Sequence, residues 1–97
     1  MCELDRLQQL KAEIYHIAHK HNAEKLYVFG SCARKEETPE SDVDLIALFN
    51  EEATLFDHIR LENEMAGLLQ KAVDVVSFNS LKQDSFGKQV MQEMILL

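Results

Sequence analysis

Proline is almost absent from this 97-residue chain: the single Pro39 sits in the polar stretch Glu36–Ser41, so regular elements elsewhere run without interruption. Positive charge is scarce as well, with 10 Lys and Arg against 17 Asp and Glu and a formal net charge of −7. A domain this acidic repels a phosphate backbone and no basic run offsets it, so broad nucleic-acid binding is not expected. No apolar run approaches the ~20 residues needed to span a bilayer. Met1-Cys2-Glu3-Leu4-Asp5 lacks the basic-then-apolar order of a secretion signal. A cytoplasmic location away from the membrane is therefore expected. Cysteine is limited to Cys2 and Cys32, read as two reduced thiols in that setting. Repeats, linkers and low-complexity tracts are missing, and so is the Gly-x4-Gly-Lys-Ser/Thr pattern of a P-loop. The length suits a single domain over residues 1–97 with no room for a second core.

What is present alternates between helical and strand patterns. From Leu4 to His19, Leu4, Leu7, Leu10, Ile14 and Ile17 recur every three or four positions, which predicts one helical face. Asn22-Ala23-Glu24-Lys25 breaks that pattern. Leu26-Tyr27-Val28-Phe29 reads as a short buried strand ended by Gly30, after which Ser31 caps a single helical turn through Arg34 and Lys35. Val43 to Phe49 is a second strand, and Leu55 to Leu69 a long helix with the stripe Leu61, Met65, Leu68 and Leu69. Ala72 to Phe78 is a third strand. A last helical segment begins at Asn79-Ser80, where Phe86, Val90 and Met94 repeat at four; the end of the chain, Met91 to Leu97, is apolar and is expected to cover the sheet or meet a partner. This order makes an α/β domain with a small sheet.

Two residues disagree with their strands. Asp44 lies in Val43–Phe49 and Asp74 in Val73-Asp74-Val75-Val76, both otherwise apolar. A lone Asp is usually a turn former or a cap, but an uncompensated carboxylate within a buried strand costs several kcal/mol and needs a partner or a metal. Asp42 and Asp44, two apart on a strand, share a face and are suited to hold Mg2+ together with substrate phosphate oxygens. Asp74 would reach the same pocket from a neighbouring strand. Gly30 would let a triphosphate approach a backbone free of Cβ, with the Ser31 hydroxyl and following amides against its oxygens and Arg34 adding a charged contact. His16, His19 and His21 have no further ligand in a metal pattern and read as a polar helix end. Cys32 lacks a His partner and reads as a small packing residue.

Gly30-Ser31, the ten residues Cys32 to Ser41, and then Asp42-x-Asp44 resemble the Gly-Ser-x10-Asp-x-Asp signature of the polymerase-β-like nucleotidyltransferases. The order of helices and strands over nearly the whole chain is similar to the minimal nucleotidyltransferase (MNT) branch. The resemblance implies a small mixed β-sheet flanked by helices. It also implies a metal-dependent enzyme using two Mg2+ ions and ATP, with Asp42, Asp44 and Asp74 as catalytic metal ligands and Gly30, Ser31 and Arg34 at the nucleotide. It further implies AMP transfer to a hydroxyl, a tyrosine, of a HEPN-type RNase toxin encoded nearby, the two proteins forming a hetero-oligomeric toxin–antitoxin pair. Many members carry Gly after the Arg where this chain has Lys35. Two alternatives stand beside this one: an antitoxin that neutralises its partner by contact alone, and a nucleotidyltransferase for a small molecule or an RNA end.

Overall fold

The computed structural model describes residues 3–33, 42–81 and 85–97. Helices α1 (Glu3–Gln9) and α2 (Lys11–Lys20) lead into strand β1 (Ala23–Phe29), which passes directly into the one-turn helix α3 (Gly30–Ala33). Strand β2 (Val43–Phe49), helix α4 (Leu55–Leu69) and strand β3 (Val73–Ser77) follow. A 3-10 turn (Phe78–Ser80), helix α5 (Ser85–Glu93) and the short strand β4 (Ile95–Leu96) complete the order. The strands form one mixed sheet in the order β3-β2-β1-β4. β1 runs antiparallel to β2 and β4, and β2 runs parallel to β3. The expected α/β class with a small mixed sheet is what the chain adopts. No helix among the described residues is long and apolar enough to cross a membrane.

Alternation along the strands sorts the side chains into two layers. Leu26 and Val28 of β1, Val43, Leu45 and Ala47 of β2, and Val73 and Val75 of β3 are buried against Leu4 and Leu7 of α1, Ile14 and Ala18 of α2, and Leu61, Met65 and Leu69 of α4. The other face of the sheet carries Tyr27, Phe29, Asp44, Ile46, Asp74 and Val76. Part of that face is closed too: Ile46 is fully buried, and the Tyr27 ring stacks on Phe78 with centroids 5.8 Å apart.

Helix α4 starts with a reciprocal cap. Thr54 Oγ1 accepts from the Asp57 amide, and the Asp57 carboxylate accepts from the Thr54 amide. It ends at Gln70, which takes the left-handed conformation (φ 53°).

A polar joint then ties α4 to the end of α2. The buried His21 places Nε2 2.5 Å from Glu64 Oε2, and Lys20 Nζ donates to Glu64 Oε1 at 2.9 Å. Asn22 donates to Asp57 at 3.2 Å. The Lys20 and His21 hydrogen bonds hold the Glu64 carboxyl below its ordinary range, and bonds from the Thr54 amide and Asn22 do the same for Asp57. The His21 of the expected polar helix end is thus a joint between helices.

Several boundaries differ from the sequence reading. The third strand, expected to reach Phe78, ends at Ser77, and the last helix, expected from Asn79-Ser80, starts at Ser85, because Phe78–Ser80 close a 3-10 turn directly after β3. The helical face from Leu4 onward is shared by two helices, divided at Leu10 (φ −94°, ψ 10°). Strand β1 begins at Ala23, inside the segment expected to be a break. A register shift between Ala23 and Lys25 leaves Glu24 and Lys25 both exposed, which destroys the alternation that would have marked them as strand. The apolar end of the chain contributes a fourth strand: Ile95 and Leu96 pair with Val28 and Tyr27. Tyr15 reinforces that edge from α2, its hydroxyl accepting from the Leu26 amide at 3.2 Å and donating to the Leu97 carbonyl at 2.8 Å.

Candidate active site

The site begins where β1 ends. Phe29 pairs with Asp44 across the antiparallel ladder, and the next residue, Gly30, turns the chain with φ +73°. A Cβ on Gly30 would stand 2.7 Å from Asp44 Oδ2, closer than real Cβ atoms come. The left-handed backbone favours glycine here, and any Cβ would also require the Asp44 carboxylate to move.

On the other side of β2 the parallel register pairs Asp44 with Asp74. Residues so paired on adjacent strands lie about 4.8 Å apart and present side chains to the same face. The two discordant carboxylates of the sequence are thus neighbours in the sheet, Asp44 half-buried and Asp74 exposed. Asp42 lies exposed immediately before β2, two positions from Asp44. The backbone of Ser31 lies in α3, next to Gly30; its side chain, and all of Arg34, lie outside what the structure describes.

Among the described residues, no three His, Cys, Asp or Glu side chains stand close enough together to enclose a metal ion. The donor set nevertheless fits a hard divalent cation in kind: carboxylate oxygens from neighbouring strand positions beside a backbone free of Cβ. A hollow of about 620 Å3 lined by Glu24, Phe49, Asn50, Glu51, Glu52 and Asn79 lies toward the opposite end of β2, and its three carboxylates are unsuited to phosphate.

Two residues that sequence reasoning passed over touch the strand bearing Asp74. His58 and Glu62, one turn apart on α4, reach the outer edge of β3 at Val75. Glu62 Oε2 accepts from the Val75 amide at 2.9 Å, and His58 Nε2 lies 2.6 Å from the Val75 carbonyl oxygen. A carbonyl only accepts, so this ring nitrogen carries the proton and donates it. The His58 ring also packs on Phe49, with centroids 5.4 Å apart. The available signal was a polar i, i+4 pair flanking the apolar stripe of α4.

Residues 12–97 match the family described as polymerase beta, nucleotidyltransferase. The chain belongs to the polymerase-β nucleotidyltransferase family, and is a nucleotidyltransferase. Protein adenylyltransferase MntA of Thermococcus cleftensis is 32% identical over 96 residues, covering 98% of this chain and 96% of the relative. A Methanocaldococcus jannaschii protein, provisionally assigned as a protein adenylyltransferase, is 37% identical over 75 residues, or 77% of this chain and 81% of the relative. The solved structure of a provisionally assigned minimal nucleotidyltransferase superposes with a TM-score of 0.85 at 38% identity, covering 100% of this chain and 97% of the other. A complex of tri-AMPylated HEPN toxin with MNT antitoxin from Shewanella oneidensis shares the fold, with a TM-score of 0.67 at 20% identity over 92% of this chain and 69% of the other.

Proposed function

We propose that this nucleotidyltransferase moves AMP from ATP onto a hydroxyl, that of a tyrosine, of a partner protein, and serves as the antitoxin of a HEPN-type toxin in the cytoplasm. The observation that carries this reading is the approach of the Gly30 backbone to Asp44, with Asp74 next in register. A glycine without Cβ lets phosphate come close to the chain at the point where carboxylates gather, which is the arrangement a metal-bound triphosphate needs. Asp42, Asp44 and Asp74 would hold two Mg2+ ions, which when bound would lower the pKa of the attacking hydroxyl and neutralise charge on the departing pyrophosphate. Gly30, Ser31 and Arg34 would orient the triphosphate. The names of the relatives support protein as the acceptor, and the Shewanella complex, whose toxin carries AMP, supports a HEPN partner.

The test is intact-mass spectrometry of the HEPN partner after incubation with this protein, ATP and Mg2+, beside the Asp42→Asn/Asp44→Asn double variant. A gain of one or more AMP units that disappears with the variant is expected. A neutralised partner of unchanged mass, in a stable complex that the double variant also forms, would favour the antitoxin that acts by contact alone, a reading the charge of −7 suits against a basic RNA-binding surface. Nucleotide transfer to a small molecule without any partner would point to the remaining alternative.

A further inference from the structure

We propose that His58 and Glu62 are positioning residues of the active site: a side-chain clamp from α4 that closes the outer edge of β3 and holds Asp74 in register with Asp44. The proposal rests on the reading of Asp74 as a metal-holding carboxylate. Strand β3 lies at the edge of the sheet, with β2 on one side only. In a strand, the amide and carbonyl of one residue point to the same side, and those of the next residue to the other. Val75 directs both groups away from β2, where no strand among the described residues receives them. The clamp receives both: the Glu62 carboxylate takes the amide and the His58 ring satisfies the carbonyl.

The pair does the work of a fifth strand over one residue, and that residue is covalently next to Asp74. Val75 is only 4% exposed, so with the clamp in place its amide and carbonyl rely on these two side chains rather than on water. Ladder bonds to β2 and the clamp from α4 together fix how far β3 sits along and beside β2. The spacing of Asp74 from Asp44 depends on both. His58 is itself held by its contact with Phe49 of β2, so the clamp references β3 to the strand that carries Asp44.

The experiment measures Mn2+ uptake by the free-ion electron paramagnetic resonance signal, in the presence of α,β-methylene-ATP, together with amide hydrogen exchange at Val75. Circular dichroism monitors folding. Glu62→Ala and His58→Ala are each expected to weaken Mn2+ binding by roughly tenfold, the usual cost of losing an outer support of a metal ligand. Val75 exchange should quicken in Glu62→Ala. Glu62→Gln, which keeps an acceptor oxygen, should restore both. In an Asp74→Asn background, Glu62→Ala should weaken Mn2+ binding no further, because the clamp acts through Asp74; a general loss of structure would add to the defect.

Folded alanine variants that bind Mn2+ as the wild type does, while Asp74→Asn binds it weakly, would overturn the proposal and leave the reading of Asp74 intact. Additive losses in the double variant would also overturn it. If the alanine variants do not fold, the wild-type protein decides: rapid exchange at Val75 refutes the clamp. Wild-type protein that takes up no Mn2+, or an Asp74→Asn variant that takes it up normally, overturns the reading of Asp74 and the proposal with it.

Discussion

Gly30 is the residue of the candidate site whose backbone tolerates substitution least, because it takes φ +73° with the Asp44 carboxylate against it. Alanine at this position would have to hold a left-handed backbone at a cost of about 1–2 kcal/mol. Its methyl would also push the Asp44 carboxylate away from a contact of 2.7 Å. Gly30→Ala is therefore expected to lower the thermal midpoint by several degrees, at ~4–8 °C per kcal/mol for a domain of this size. Nucleotide transfer should fall further, on the order of a hundredfold, as a misplacement of about 1 Å can cost. A melting curve and an AMP-transfer assay on the same sample separate the two effects. The carboxylates were legible in the sequence for a physical reason: Asp44 and Asp74 are the charges inside two runs of buried aliphatics, and burial makes charge conspicuous. His58 and Glu62 were not legible in the same way. Their partners are backbone atoms of Val75, which any residue there would supply, so nothing at position 75 betrays the contact.

At the level of elements, the joint between α2 and α4 links stability to pH. Glu64 is held below its ordinary range by Lys20 and His21, and Asp57 by the Thr54 amide and Asn22. A carboxyl whose folded pKa is depressed stabilises fully above its unfolded value, about pH 4 to 4.5, and loses that contribution as pH falls through the folded value. The urea midpoint should therefore decline on acidification from pH 5 to pH 3. Glu64→Gln, which cannot titrate, should show a lower midpoint at pH 6 and a shallower decline. Elements are legible in the sequence where period and length agree. Leu55 to Leu69 has a sustained helical stripe, and Val43 to Phe49 a continuous apolar run bounded by polar residues. β1 was read short because its bulge places Glu24 and Lys25 side by side in solvent, and β4 was missed because two residues cannot display a period of two.

For the molecule as a whole, the informative contact is the one that joins residues 82 positions apart. The Tyr15 hydroxyl donates to the Leu97 carbonyl and accepts from the Leu26 amide, so one side chain of α2 ties β1 to the residue that follows β4. Tyr15→Phe keeps the ring and deletes the bonds, leaving a buried amide short of a partner at about 1–3 kcal/mol. A fall of several degrees or more in the thermal midpoint is expected, with the far-ultraviolet spectrum unchanged. The same closure has a temporal side. Because a ribosome delivers the chain from its N-terminus, β1 meets β2 long before residues 95–97 exist to cover its other flank. Throughout that interval the emerging hairpin shows an unsatisfied row of amides and carbonyls, a template for other nascent chains. Messages broken between codons 77 and 95 would therefore yield a product that retains Asp42, Asp44 and Asp74 yet aggregates.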